Sequence, residues 1–204
     1  MRFTIVFFYS ETAEEKSGRG ELMARKEMIS SKMILDTAFQ MAREEGLKNI
    51  TARRVAERAN CSTQPIFRTY QNMEDLMAGV YEKAAEFFQD YYSLYPRIGK
   101  VPFSNLGMAY IAFAREEKEL FRMLFVPEKP GKSLYELLNG KTENVKSEIQ
   151  RAAAQGCPDS GELFMKMWIF IHGAACMTLT GDYDLSDSQT LEMLESVYHS
   201  FLKI

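Results

Sequence analysis

The sequence predicts an all-α protein, with a three-helix helix-turn-helix near the N-terminus and a longer helical region behind it. Three observations carry this. Apolar residues recur at helical spacing along most of the chain, with little strand-like alternation. Gly46, Thr51, Asn60, Asn72 and Pro96 fall where helices should be capped or broken. With 46 % hydrophobic and 26 % charged residues among 204, the composition is that of a folded chain rather than a disordered one.

Met1 to Tyr9 is an apolar, β-branched and aromatic run, followed by the polar stretch Ser10 to Gly20. It is too short for a signal peptide, and Glu11, Glu14 and Glu15 stand where a small-residue cleavage site would be, so secretion is not expected. Arg19-Gly20-Glu21-Leu22-Met23 can be encoded as AGA-GGA-GAA-TTA-ATG, a purine-rich ribosome-binding sequence ahead of a start codon. Residues 1–22 are therefore expected to be an extension: either a translated upstream leader, with initiation at Met23, or a true arm or added strand. No segment is expected to supply the roughly 20 apolar residues of a membrane span, and the expected location is cytoplasmic.

From Met33 onward, Ile34, Leu35, Ala38, Phe39 and Ala42 line one helical face. Gly46 ends that helix in a left-handed conformation, and Leu47 and Ile50 fold back on the same core. Thr51 caps a short helix, Ala52 to Ala59, with Val55, Ala56 and Ala59 inward and Arg53, Arg54, Glu57 and Arg58 outward. Asn60 suits positive φ at the turn, and Ser62 is placed to cap a third helix, Thr63 to Tyr70, with Pro65 in its first turn. Asn72 caps a fourth, with Glu74 and Asp75 complementing the helix dipole.

Met73 to Leu94 reads as a long amphipathic helix with Leu76, Val80, Ala84, Phe88 and Tyr91/Tyr92 on one side, ended by Pro96. Helices are expected over Phe103 to Arg115 and Lys118 to Phe125, a break over Pro127 to Gly131, and a helix over Ser133 to Gln155 that is interrupted near Gly140. Gly161 to Thr180 and Ser186 to Lys203 are expected as the last two, both too apolar for surface helices. The expected domains are 23–72 and 73–204.

Charge is unevenly spread. The chain has a formal charge of -3, yet Ala24 to Asn72 holds nine basic residues against five acidic, while Met73 to Ile204 holds 13 against 19. A basic segment containing two short helices and a tight turn is suited to an anionic duplex, because a helix fits the major groove. Cys61, Cys157 and Cys176 lack metal-ligand spacing, and His172 and His199 are too few for a histidine-based metal site, so no metal and no cofactor are expected. No glycine-rich phosphate loop, histidine pair or Ser-His-Asp set suggests an enzyme, and no catalytic residue is expected.

Ile34 through Val80 resembles the DNA-binding domain of the TetR family of bacterial regulators. It has an alanine-phenylalanine helix, a glycine, Thr51-x-x-x-Val55-Ala56, then Ser62-x-x-x-Ile66-Phe67-x-x-Tyr70, and an acidic-leucine helix start. The resemblance implies a homodimer that sets its third helices in successive major grooves about 34–36 Å apart. By position, Thr63, Gln64, Arg68 and Thr69 would reach base edges, where Gln can bridge adenine and Arg guanine. Thr51, Arg53, Arg54 and Tyr70 would meet phosphates. The family commonly has Gly at Asn60, Tyr at Phe67 and Lys at Met73, so a phenolic hydroxyl and an ammonium are missing here.

Trp168-x-x-x-His172-Gly173 also resembles a C-terminal regulatory subgroup of that family. Pairing the last two helices of each subunit would make a four-helix dimer interface from Ile171, Ala174, Ala175, Leu194, Tyr198 and Phe201. The family's enclosed effector, here a small apolar or aromatic molecule, would meet Met108, Phe113, Phe121, Met123, Met165, Trp168, His172 and the aromatics of the long helix. The expected function is thus a ligand-responsive regulator, a repressor that binds palindromic double-stranded operator DNA and is released by its effector. The alternatives are a helical binding or adaptor protein without DNA affinity, or an enzyme using the helical cavity.

Overall fold

The computed structural model describes residues 29–126 and 143–202, and every regular element among them is helical. Residues 1–22, the break at Pro127 to Gly131 and the interruption near Gly140 lie outside the described residues. The elements are α1 (Ser31–Glu45), a 3-10 turn (Leu47–Asn49), α2 (Ala52–Arg58), α3 (Gln64–Thr69), α4 (Met73–Leu94), α5 (Ser104–Glu116), α6 (Lys118–Phe125), α7 (Glu143–Ala154), α8 (Ser160–Thr180) and α9 (Asp187–Leu202).

Caps explain most of these boundaries. Ser30 Oγ accepts the Met33 N–H at 3.1 Å, so α1 starts two residues before the apolar pattern suggests. Thr51 Oγ1 accepts the Arg54 N–H at 3.3 Å and Asn72 Oδ1 accepts the Asp75 N–H at 2.8 Å, as the sequence predicts. Asn60 takes φ 51°, also as expected. Two expectations fail. Gly46 has φ 79° but ψ 166°, outside the left-handed helical region and in one that is essentially glycine's alone. At α3, Thr63 rather than Ser62 is the cap residue and makes no side-chain bond; its carbonyl accepts the Ile66 and Phe67 N–H groups at 3.2 and 3.3 Å.

Helix α5 forms the axis of the larger region, buried from Ser104 to Ala114. Its small residues let neighbours approach closely: a Cβ on Gly107 would lie 2.9 Å from both δ-methyls of Leu194 and 3.1 Å from Ile171 Cγ1. Ahead of α5, Phe103 holds φ 66°. That turn is tied down by Phe103 N–H donating to the buried Glu148 carboxylate at 2.7 Å, and by Asn105 bridging both backbone groups of Gly99.

Contrary to the sequence expectation, α8 is long and apolar enough, by length and composition, to cross a membrane. Its apolarity is used inside the fold: Leu163, Phe164, Met167, Trp168, Ile171, Ala174 and Ala175 are buried, and α5 is its main packing partner.

The N-terminal helices join this body through α1, which packs on α4 and α6. Arg43 donates from Nε to Glu117 Oε2 at 2.7 Å and from Nη2 to Glu117 Oε1, and its guanidinium lies over the Phe87 ring at 4.9 Å. Such a two-point charged contact fixes orientation as well as distance. A Cβ on Gly46 would stand 2.7 Å from Glu119 Oε2, so the turn after α1 closes directly onto α6.

Because Gly46 sits where other residues are strained, Gly46→Ala is expected to lower the unfolding free energy by about 1–3 kcal/mol. Urea denaturation checks this; an unchanged midpoint would mean that the backbone relaxes without cost.

Candidate nucleic-acid interface and a buried cavity

Helix α3 is anchored chiefly by Ile66, which is 1 % exposed, with half-buried Pro65 and Tyr70 beside it. Its other side chains face solvent. Thr63, Gln64, Arg68 and Thr69, the four expected base readers, are all exposed, although Thr69 Oγ1 donates back to the Pro65 carbonyl at 3.0 Å. Phe67, noted in the sequence only as a replacement for tyrosine, is 52 % exposed in the middle of this face. An exposed apolar ring beside Gln64 and Arg68 suits contact with a thymine methyl.

The four residues expected at phosphates differ in how free they are. Arg53 is exposed and, like Arg68, has no ion-pair or hydrogen-bond partner among the described residues. The Arg54 guanidinium donates to Glu45 Oε2 at 2.6 Å and to the Asn49 carbonyl at 3.1 Å. Arg58 pairs with Glu44 and Glu45, and its charge together with a bond from Gln40 holds the Glu44 carboxyl below its ordinary range. Thr51 is engaged in capping α2. Tyr70 donates its hydroxyl to the Ser31 carbonyl at 3.4 Å, and partial burial raises its pKa. The outward cations of α2 are thus divided: Arg54 and Arg58 brace α2 on the end of α1, and Arg53 is left over.

A cavity of about 120 Å³ lies among α4, α5, α6, α7 and α8. Its walls are Ala85, Phe88, Gln89 and Tyr92 of α4, Leu106 and Tyr110 of α5, Leu124 and Phe125 of α6, Asn144 and Val145 of α7, and Trp168 of α8. Of the seven residues singled out for an effector, only Trp168 lines it. Met108, Phe113, Phe121 and Met123 are packed into the core, and Met165 faces outward. His172 sits behind the wall, its Nδ1 3.0 Å from the Tyr110 hydroxyl and its Nε2 3.5 Å from Cys176 Sγ, with burial lowering its pKa. Phe88 and Tyr92, aromatics of the long helix, do reach the cavity. Gln89 and Asn144 carry no sequence signal, since only the folded chain brings α4 against α7; Asn144 Nδ2 donates to Gln89 Oε1 at 2.8 Å.

The residues expected at a dimer interface also require correction. Ile171, Ala174, Ala175, Leu194 and Tyr198 are buried within the subunit, and Phe201 is half-buried. Both faces of α8 are apolar, so periodicity does not tell which one meets α5. The outward stripe is Met165, Ile169, Gly173 and Met177 at intervals of four, with Met193 and Leu202 exposed on α9. Ile169 is 68 % exposed, and nothing lies within 4 Å of where a Cβ on Gly173 would be.

Comparison with known proteins agrees with this arrangement. Residues 34–80 match the family model described as bacterial regulatory proteins, tetR family, and residues 103–201 match the tetracyclin repressor-like C-terminal domain. A search of curated proteins gives no match. Among solved structures, a TetR-like transcriptional regulator from Rhodococcus sp. RHA1 shares 13 % identity at a TM-score of 0.60, covering 84 % of this chain and 94 % of that one. A protein of unknown function from the same organism aligns with a TM-score of 0.65 at 16 % identity, over 87 % of this chain and 98 % of its own. The fatty acid degradation regulator FadR from Bacillus halodurans aligns with a TM-score of 0.58 at 15 % identity, over 84 % and 93 %. At these identities the structures speak for a shared fold, whereas the two family models cover both the helix-turn-helix and the helical body. The chain belongs to the TetR family of bacterial transcriptional regulators.

Proposed function

We propose that the protein is a ligand-responsive repressor that binds a palindromic operator as a homodimer. The observation that carries this is the outer face of α3, where Gln64, Phe67 and Arg68 stand clear of the fold while Ile66 holds the helix from beneath. In this reading residues 23–72 form the reading domain and 73–204 the effector and dimerisation domain. Thr63, Gln64, Arg68 and Thr69 face bases, and Thr51, Arg53, Arg54 and Tyr70 face phosphates. Arg53 contributes most of the salt dependence, because Arg54 is engaged with Glu45.

The dimer forms through the apolar stripe of α8 with Met193 and Leu202 of α9, since exposed apolar area of this kind is what an isologous interface buries. The effector occupies the cavity beside Trp168. Helix α6 supports a link between the two ends: Leu124 and Phe125 line the cavity, while Glu117, the residue just before α6, grips Arg43 of α1. An effector that displaces the end of α6 therefore shifts the population toward a form with its reading helices misplaced.

Three outcomes test this, using fluorescence anisotropy on DNA from the gene's own promoter region and sedimentation for assembly. Arg53→Ala lowers affinity for every duplex and reduces the salt slope by about 0.9, whereas Gln64→Ala costs about 1–3 kcal/mol at one base pair and leaves random DNA unaffected. Equal loss on all sequences would remove Gln64 as a reader. Ile169→Glu yields monomers, and a variant that sediments as wild type would move the interface elsewhere.

A further inference from the structure

Trp168 is 2 % exposed and lines the cavity, and its Nε1 is the one buried side-chain polar atom left without a partner among the described residues. A buried N–H without an acceptor is costly, and native structures rarely leave one unexplained. The indole is firmly placed, stacked on His172 at 5.8 Å between centroids and set edge-on to Tyr110 at 4.8 Å. The other polar groups of the wall have partners of their own: Tyr110 is bonded to His172, Tyr92 Oη accepts from Arg97 Nη1 at 2.8 Å, and Gln89 is bonded to Asn144. No wall residue carries a charge.

From this geometry we infer that the cavity takes a neutral, mostly apolar molecule of about one six-membered ring, whose single hydrogen-bond acceptor, such as a ketone oxygen, is bound by Trp168 Nε1–H. This rests on the effector reading above and specifies its ligand class. The size follows from the volume: a dry cavity of about 150 Å³ accommodates benzene, and this one is about 120 Å³ with a polar edge at Gln89 and Asn144. Charged ligands are rejected because an ion would lose its hydration among aromatic rings with no counter-charge on the wall. Hydrocarbons of the same size fit but leave the indole N–H unpaired.

Trp168 is the only tryptophan in the chain, so the full-length protein gives one indole cross-peak in a proton–nitrogen correlation spectrum. The probes are cyclohexanone, cyclohexane and cyclohexanecarboxylate. Cyclohexanone is expected to move the indole N–H downfield saturably, cyclohexane to shift the Leu124 methyl signals without that downfield move, and the carboxylate to leave both in place. In Trp168→Phe, which keeps an aromatic ring and loses the donor, the affinity ratio of cyclohexanone to cyclohexane, read from Leu124 methyl shifts, falls about fivefold or more. An unchanged ratio, an indole peak unmoved by the ketone, or carboxylate binding as tight as the ketone's overturns the assignment. Operator affinity measured in the same titration separates the two readings. An indole shift with unaltered DNA binding upholds the ligand class and removes the effector role; release of DNA by the carboxylate with no response to the ketone removes the class and keeps the role.

Discussion

Helix α5 meets no water from Ser104 to Ala114, and the placement of the other helices around it follows from that constraint. A helix covered on all sides must be packed by several neighbours at once, and here α4, α6, α7, α8 and α9 all do so. Small residues on α5 allow the close approach, with Gly107 under Leu194 and Ile171 as the tightest point. Aromatic side chains fill what remains: Tyr110 packs against Phe88, Phe121, Phe125 and Trp168, with centroids 4.8 to 6.0 Å apart. The cavity is the space this cluster leaves between α4, α6 and α7, which is why its lining is aromatic and its polar edge comes from surface-facing amides.

The two ends of the molecule are built on opposite terms. Around α5 nearly every side chain is buried, whereas α3 is held mainly by one isoleucine and exposes the rest. A helix of that kind is free to present chemistry, because few of its side chains are needed for packing. Its position depends on α2 and α1, which are locked by Thr51, Arg54 and Arg58 against Glu44, Glu45 and Asn49. Several cations of the basic segment therefore act as braces, and a count of positive charge overstates what is left for a phosphate backbone.

Between these ends, α6 and the residue before it touch both. Glu117 forms the two-point contact with Arg43, and Leu124 and Phe125 reach the cavity wall only a few residues later. A short rigid element with one end in a cavity and the other against the reading helices is a physical basis for coupling, requiring only that it have two arrangements.

Much of this was legible in the sequence, for local reasons. The bounds of α4 and α6, the caps at Thr51 and Asn72, the turn at Asn60 and the exposed residues of α3 all follow from side chains acting within a few positions of themselves. The sequence alone determined that the chain is helical and that a basic helix-turn-helix opens it, because capping, periodicity and charge are properties of neighbours along the chain. Only the tertiary structure decided that Ile171, Leu194 and Tyr198 pack inward while Ile169 and Met177 face out. It alone drew Gln89, Asn144 and Trp168 to one cavity and tied Arg54 to Glu45. Those outcomes depend on which face of an apolar helix meets which partner, and a one-dimensional pattern that is apolar on both sides carries no such information.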